Sequence, residues 1–329
     1  MKDPKELIDA ANLEKLKKYL STSPRIVILA HAGPDGDAIG STLGLCEGLK
    51  SLGIEASVAC LDGVPDFLSF CPFAETMQKD FDENKFDAVW FTDCGAKKMT
   101  RFHETKPDIL SDKMVKINLD HHPTNDLWGE INFVATHAAS SSQIVFRLLQ
   151  ALGAKITPRI ATCLLLGIYT DTGSFMHQNT TPEVYQASAE LMKLGANAAQ
   201  ISKHVFRSHE FRVLKLWGRV LQNLYVTDDG AAIVGVNKKD YESIGATRED
   251  LAGVIDYINS MPEAKYSVLL SEDEKGNVKA SLRTRKPDVD VKALAEKFGG
   301  GGHIKASGFT IKDSHLKKEV KWKIVENEG

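Results

Sequence analysis

The chain has 329 residues, of which 43% are hydrophobic and 26% are charged, and its formal net charge is −3. This length suits two domains that each bury an apolar core of their own. The near-neutral charge excludes a chain-wide basic surface for long duplex nucleic acid, so a nucleic-acid partner should be short or held by a local patch.

Cysteine usage and the first residues point to one compartment. The five cysteines are scattered and form no C-x-x-C pair, which argues against a disulfide framework and a thiolate zinc site. The first seven residues mix acidic and basic groups without the apolar run of a signal peptide, and no stretch reaches a membrane-spanning length. We therefore expect a cytoplasmic protein with no membrane partner; whether it forms a homodimer stays open.

Predicted strands and helices alternate in the first half of the chain. Apolar runs that favour buried strands lie at 25–31, 54–60, 86–93 and 114–120. Helical patterns lie at 5–19, 37–52, 140–152, 158–169 and from 182 onward. This rhythm predicts an α/β fold with a parallel sheet in an N-terminal domain over 1–195.

The second half reads as a helical connector over 196–224 and a smaller α/β domain over 225–329. The connector carries Arg207, Arg212 and Arg219, which are more typical of solvated helix positions than of a nucleic-acid path. Strand patterns follow at 231–236, 266–270, 278–283 and 306–311, with helices near 248–258 and 289–298.

Acidic residues and histidines stand where predicted strands or helices give way to loops. His31, Asp93 and Asp120 each follow a different strand, and ligands of parallel sheets gather at the carboxyl ends of strands. The sequence also places four carboxylates in these loops, on Asp35, Asp37, Asp93 and Asp171. Two divalent cations would balance their charge, whereas without metal several would have to take up protons.

Each of these stretches also has an ordinary structural interpretation. Asp35 and Asp37 fit a solvated turn with a helix-capping aspartate, and Asp93 and Asp171 fit caps or turns. The histidines after Asp120 could be a surface pair. Two adjacent histidines point in different directions, however, so one can bind metal while the other faces substrate. Four such stretches in one chain favour a metal site.

The order of these motifs carries a resemblance. H-x-x-P-D-G-D-A-x-G-S, D-C-G, D-H-H-P and T-D-T-G-S-F strongly resemble the DHH phosphoesterase superfamily. The run from Gly299 to Gly308, preceded by Ser281-Leu-Arg283, is similar to the DHH-associated substrate-binding domain. The resemblance covers nearly the whole chain. It is strongest to the nanoRNases, which degrade very short RNAs and dephosphorylate 3′-phosphoadenosine 5′-phosphate.

The resemblance implies a role for each site residue. One metal ion would be held by His31, Asp35 and Asp93, and a second by Asp37, Asp93, His121 and Asp171, with Asp93 as the bridge. His122 would face the scissile phosphate, and Asp120 would orient the histidines. The substrate-binding residues would be Arg283, Gly300, Gly301, Gly302 and His303. Mn²⁺ is the implied metal, and mixed imidazole and carboxylate ligands favour it over Mg²⁺.

We therefore expect a metal-dependent phosphohydrolase that uses two metal ions to activate water. Its substrates would be oligoribonucleotides of a few residues, cut to mononucleotides, the bisphosphorylated nucleotide, or both. A linear or cyclic dinucleotide phosphodiesterase and a non-catalytic nucleotide sensor stay open as alternatives. The chain has no G-x-x-x-x-G-K-[ST] motif, so a nucleoside triphosphate site is a weak interpretation.

Overall fold

The structure, a computed structural model, describes residues 7–206 and 210–317. Lys5, Glu6 and Arg207, which fall within predicted helices, lie outside these ranges. The chain divides into two compact units, Met1–Ser208 and His209–Gly329.

The first unit is built on a parallel sheet with helices. Its strands are Arg25–Leu29 (β1), Glu55–Ala59 (β2), Ala88–Thr92 (β3), Val115–Asp120 (β4) and Ile131–Val134 (β5). Its helices are Ala10–Leu20 (α1), Gly36–Ser51 (α2), Ser141–Leu152 (α3), Pro158–Asp171 (α4), Pro182–Lys193 (α5) and Ala198–Phe206 (α6). All neighbouring strands run parallel, in the order β2-β1-β3-β4-β5. The predicted parallel sheet is confirmed; β5 lies outside the predicted elements.

The central strands are apolar runs because both faces of the sheet are covered. In β1, Ile26 and Ile28 pack into the core shared with α2, α3 and α4, whereas Val27 and Leu29 pack with Phe91 and Phe102 on the other face. Burying an aliphatic side chain of this size stabilises the fold by about 1.5–3 kcal/mol. Alternation of polar and apolar residues is therefore absent from β1.

The strand order reverses direction between β1 and β3. The chain passes from β1 outward to β2 on one side, and then returns to β3, β4 and β5 on the other. Such a reversal opens a crevice at the carboxyl ends of the two strands, where ligands of this architecture bind. His31 follows β1 and Asp93 follows β3, so the topology places both beside the crevice.

Helices α2 and α4 approach each other at nearly backbone contact. A glycine occurs at every fourth position of α2, from Gly36 through Gly48. A Cβ on Gly40 would lie only 2.3 Å from the carbonyl oxygen of Cys163 in α4. This packing brings the first turn of α2, with Asp37, beside the last turn of α4, with Asp171.

The second unit is a mixed sheet with short helices. Its strands are Tyr225–Val226 (β6), Ala231–Val236 (β7), Tyr266–Glu272 (β8), Val278–Arg283 (β9), Gly301–His303 (β10) and Ala306–Ile311 (β11). Its helices are Phe211–Gln222 (α7), Lys238–Glu242 (α8), Val254–Ile258 (α9) and Val291–Glu296 (α10). The sheet order is β10-β11-β9-β8-β7-β6, and only β7 and β8 pair in parallel among these described strands. The predicted smaller α/β domain is confirmed.

Two predicted helices differ in detail, and strand β10 was not predicted. The opening helix begins at Ala10 rather than at residue 5, because Asp9 caps it by accepting a hydrogen bond from the Asn12 amide. The helix predicted over 248–258 is interrupted at Gly253, whose φ of 86° no helix accommodates. Part of the glycine run forms β10 and pairs with β11, and this strand lies outside the predicted elements.

The predicted connector is shared between the two units. Helix α6 falls in the first unit and α7 in the second, and the boundaries after 195 and 224 stay predictions. Arg212 pairs with Asp250 at 3.2 Å, and Arg219 donates to the Asp240 carbonyl at 2.7 Å.

Within the described ranges, the helices lack the combination of length and apolar character needed to cross a membrane.

Candidate metal centre

All six predicted metal ligands lie in one cluster. In the described residues, three groups of side chains each offer donor atoms that lie within 4.8 Å of one another. These groups are His31, Asp35 and Asp93; Asp37, His121 and Asp171; and Asp93, His121 and His122. Because Asp93 and His121 each belong to two groups, the three groups form a single site. The structure shows this proximity, whereas the ligand roles themselves stay predictions.

Asp35 combines the two roles that the sequence left open. It caps α2, and its Oδ1 accepts hydrogen bonds from the amides of Asp37 and Ala38, both at 3.0 Å. Both capping bonds go to the same oxygen, so Oδ2 keeps its lone pairs for a cation. The preceding turn is held by Asp62, whose carboxylate accepts from the Gly33 amide at 2.6 Å.

Asp93 has the geometry of a bridging carboxylate. Its backbone adopts a left-handed φ of 58°, which aspartate tolerates better than most residues, and its side chain is 3% exposed. Its Oδ2 lies 3.7 Å from His31 Nε2, while its Oδ1 lies 3.5 Å from His121 Nε2. The two oxygens therefore face different histidines, an arrangement compatible with a carboxylate shared between two cations, and the bridging role stays a prediction.

The histidines and Asp93 influence one another's protonation. Burial opposes ionisation of Asp93, but its interaction with His31 and the charges of the other nearby histidines hold its pKa below the ordinary value. Burial also opposes the charge of His31, yet Asp93 and the Ala32 carbonyl raise its pKa to about 8. Burial lowers the pKa of His121. His121 is therefore a neutral imidazole at neutral pH, which is the form that binds metal.

The protonation of Asp37 and Asp171 indicates whether cations fit this site. Burial, followed by the charges of Asp93 and Asp171, raises the pKa of Asp37 well above its ordinary value. Burial and the charges of Asp93 and Asp35 raise the pKa of Asp171 to about 7. Without positive charge the cluster therefore retains protons. Divalent cations would replace them, and the carboxylate and imidazole donors match that role.

His122 lies beside the cluster with a different partner. Its Nδ1 is 2.7 Å from Asp120 Oδ1, and this hydrogen bond raises the pKa of His122 to about 9. The His122 side chain is 40% exposed, whereas that of His121 is 16% exposed. His122 is thus the more exposed of these two histidines, and its phosphate-facing role stays a prediction.

Sequence reasoning missed two polar residues at this site. Asn125 donates from Nδ2 to Asp120 Oδ2 at 2.8 Å, and Ser141 donates from Oγ to Asp93 Oδ1 at 3.0 Å. The available signals were an asparagine three residues after the D-H-H motif and a run of three serines before an apolar helix. A serine run is an ordinary N-cap signal, so it drew no functional interpretation.

The predicted substrate-binding residues lie together in the second unit. Arg283 ends β9 and His303 ends β10, and both pair in register with Ala306 on the intervening strand β11. The Lys305 amide donates to His303 Nδ1 at 3.2 Å, so in the neutral ring the proton resides on Nε2. Gly300 is required at its position because a Cβ there would lie 2.2 Å from the Gly308 carbonyl oxygen.

Known proteins share both units of this chain. Residues 25–168 match the DHH family, N-terminal domain, and residues 231–327 match the DHHA1 domain. The cluster of histidines and carboxylates lies where the strand order reverses between β1 and β3. Together with this site, the two matches define the class: the chain belongs to the DHH phosphoesterase superfamily. Its similarity to the relatives described next places it in the nanoRNase branch.

Two curated relatives and one solved structure match along most of their length. The bifunctional oligoribonuclease and PAP phosphatase NrnA of Thermus thermophilus is 36% identical over 88% of this chain and 85% of the relative. NrnA of Bacillus subtilis is 26% identical over 90% of this chain and 92% of the relative. The crystal structure of an exopolyphosphatase-related protein from Bacteroides fragilis superposes with a TM-score of 0.84, at 29% identity over 92% and 91%.

Proposed function

We propose that this chain is a metal-dependent phosphohydrolase that degrades short oligoribonucleotides to mononucleotides and dephosphorylates 3′-phosphoadenosine 5′-phosphate. The observation that carries the proposal is the overlap of the donor groups on Asp93. The names of the two NrnA relatives supply the substrates. The overlapping donors supply a chemical reason why phosphoesters are cut.

The proposed assignment divides the cluster into two sets of ligands that share Asp93. One cation would be held by the group of His31, Asp35 and Asp93, and the other by the group of Asp37, His121 and Asp171, with Asp93 as its fourth ligand. Bound divalent cations would polarise phosphoryl oxygens and make water a stronger acid at neutral pH. Mixed nitrogen and oxygen donors favour Mn²⁺ over Mg²⁺, which prefers oxygen ligands and retains its waters.

His122 and Asp120 contribute without being metal ligands in this assignment. The hydrogen bond that His122 donates to Asp120 holds His122 as an imidazolium at neutral pH, because it raises the pKa of His122 to about 9. With Nδ1 occupied by Asp120, the Nε2–H can donate to a phosphoryl oxygen. His122 thereby orients the scissile phosphate and offsets its charge, while Asp120 positions His122.

The second unit would bind the part of the substrate that is not cut. Arg283 and His303 lie in one row across the sheet, and Gly301 and Gly302 carry no side chain that would obstruct an approach to the backbone. Such a surface suits a phosphate or a sugar, since glycine amides can approach an anion closely. With a net charge of only −3 for the whole chain, a short nucleotide is favoured over a long duplex as the partner.

The cytoplasm is the proposed location. All five cysteines are buried and free of disulfides, which suits a reducing compartment.

A hydrolysis panel tests the proposal. Chelator-treated protein would be supplied with Mn²⁺ and offered an RNA dinucleotide, 3′-phosphoadenosine 5′-phosphate, a cyclic dinucleotide and pyrophosphate. Mononucleotides and inorganic phosphate should appear from the first two substrates, and Asp93→Asn should abolish both reactions. Asp112→Asn is the matched control, because this exposed carboxylate precedes β4, at the end of the strand opposite Asp120. Its turnover should equal that of the unmodified protein.

Two outcomes would contradict the proposal. Failure to cut either nucleotide with Mn²⁺, Co²⁺, Zn²⁺ or Mg²⁺ would favour a nucleotide sensor, provided that the nucleotides still bind. Selective turnover of the cyclic dinucleotide would favour the phosphodiesterase alternative.

A further inference from the structure

The first turn of α3 contacts two carboxylates of the candidate metal centre. The amides of Ser141 and Ser142 donate to Asp37 Oδ2 at 2.6 Å and to Asp37 Oδ1 at 2.9 Å. The hydroxyl of Ser141 donates to Asp93 Oδ1 at 3.0 Å. Ser141 is therefore hydrogen-bonded to both Asp37 on α2 and Asp93 after β3. Both serines are fully buried, so bulk water does not compete for these bonds.

These bonds fix the orientation of each carboxylate while leaving it able to bind a cation. A carboxylate oxygen has two lone-pair directions. At each oxygen of Asp37, one direction is taken by an amide of α3 and the other stays available. At Asp93 Oδ1, the Ser141 hydroxyl likewise takes one direction. Rotation of either carboxylate about its terminal torsion would break a buried hydrogen bond, which is costly.

We propose that Ser141 is a positioning residue for metal binding: its amide and hydroxyl hold Asp37 and Asp93 in the orientations in which these carboxylates would bind cations. This inference rests on the proposed function and adds a residue to it. Groups that hydrogen-bond to metal ligands commonly set their orientation and the metal affinity.

Ser142 supplies a matched control within the same turn. Its side chain is also buried, but its hydroxyl has no hydrogen-bond partner among the described residues. Its bond to Asp37 comes from the backbone amide, which an alanine retains. Ser142→Ala therefore removes a buried hydroxyl of the same size from the same helix turn without removing a contact to a carboxylate.

The experiment compares Mn²⁺ binding by four proteins. Metal-free unmodified protein, Ser141→Ala, Ser141→Thr and Ser142→Ala would be titrated with Mn²⁺ by calorimetry, and bound Mn²⁺ would be observed by electron paramagnetic resonance. Ser141→Ala should weaken Mn²⁺ binding by about 10- to 100-fold, as expected for loss of an outer hydrogen bond to a ligand. Ser141→Thr keeps the hydroxyl and should restore affinity. Ser142→Ala should bind like the unmodified protein.

The measurements distinguish failure of the Ser141 positioning role from failure of the proposed function. If the unmodified protein binds no Mn²⁺ or other divalent cation, the proposed function fails first. If it binds Mn²⁺ and Ser141→Ala binds equally tightly, the positioning role is wrong while the proposed function stands. Should Ser141→Ala not fold, Ser141→Cys replaces the hydroxyl with a weaker donor and should show intermediate affinity; affinity equal to that of the unmodified protein would overturn the inference.

Discussion

Gly167 on α4 lies so close to Asp37 on α2 that a Cβ built on it would be 2.4 Å from Asp37 Oδ1. The same Cβ would be 2.0 Å from Ser142 Oγ. Three segments, α2, α3 and α4, therefore meet at a point where a hydrogen is the largest side chain that fits. The buried carboxylate of Asp37 depends on this close approach.

Gly167→Ala should destabilise the protein and weaken metal binding. Alanine favours a helix over glycine by about 1 kcal/mol. Overpacking a filled interior costs about 1–3 kcal/mol, so the steric term should outweigh helix propensity. Displacement of Asp37 should also reduce Mn²⁺ affinity. Urea unfolding of the metal-free protein and calorimetric titration measure the two effects separately.

Gly218→Ala is the control for helix propensity. Gly218 is exposed within α7, and a Cβ there would meet no heavy atom of the described chain within 4 Å. This variant should be more stable by about 0.8–1 kcal/mol, with unchanged Mn²⁺ affinity. A Gly167→Ala protein that gained stability to the same extent would show that α4 has room to move.

The sequence was informative about the site residues at strand ends. His31 and Asp93 lie just beyond β1 and β3, Asp120 is the last residue of β4, and the carboxyl ends of parallel strands meet at one edge. Asp37 and Asp171 lie on helices, and their proximity depends on the packing of α2 against α4. Spacing along the chain does not encode such packing, so the sequence identified both residues as candidate carboxylates, and only the resemblance assigned them to the same metal ion.

The hydrogen-bonded support around the ligands was not predictable from residue type. Ser141 acts partly through its backbone amide, which every residue except proline has, and Asn125 lies in the loop between β4 and β5, where asparagine is an ordinary turn residue. Strand β5 has only four residues, and β10 consists of two glycines and a histidine, so neither carries enough periodicity to indicate a strand.

Metal affinity should rise with pH through the pKa of Asp171. Below about 7 the Asp171 carboxyl is protonated in the metal-free protein, because burial and the charges of Asp93 and Asp35 raise its pKa. A cation must then displace a proton, whereas above that pH it need not. Calorimetric titrations at about pH 6 and about pH 8 should show tighter Mn²⁺ binding at the higher value and proton release at the lower one.

Asp171→Asn removes the titrating carboxyl and serves as the comparison. This variant should bind Mn²⁺ more weakly, and the steepness of its pH dependence should fall. The same proton release in the variant and in the unmodified protein would show that another group, such as Asp37, holds the competing proton.

Asn125→Ala should impair the reaction more than it impairs metal binding. The substitution leaves Asp120 Oδ2 without its 2.8 Å donor in a carboxylate that is fully buried. An unpartnered buried polar atom costs about 1–3 kcal/mol of stability. Asp120 contacts His122 rather than the proposed ligands, so kcat should fall while Mn²⁺ affinity changes little.

Asn84→Ala is the matched control, since Asn84 is an exposed asparagine that bonds to Asp82. It should leave both kcat and melting temperature unchanged. Loss of Mn²⁺ affinity in Asn125→Ala as large as its loss of kcat would mean that Asp120 supports the ligands directly.

Substitutions of two adjacent glycines in the second unit, Gly300 and Gly301, can distinguish a structural role of the glycine run from a role in substrate binding. Gly300→Ala should lower the melting temperature, because its Cβ would lie 2.2 Å from the Gly308 carbonyl oxygen and 2.5 Å from Phe309 Cβ. At Gly301 a Cβ meets no heavy atom of the described chain within 4 Å, and its φ lies outside the left-handed region. Gly301→Ala should therefore keep the stability of the unmodified protein.

The kinetic effect of Gly301→Ala then reports on the substrate. A methyl group at this position would obstruct an anion that approaches the backbone amides, so KM for an RNA dinucleotide should rise. Since the proposed contacts are to a part of the substrate that does not react, kcat should be retained, as expected when uniform binding is lost. Steady-state kinetics on the Mn²⁺-loaded variant measure both constants. An unchanged KM in a stable Gly301→Ala protein would mean that the glycine run serves the hairpin of β10 and β11 and does not bind substrate.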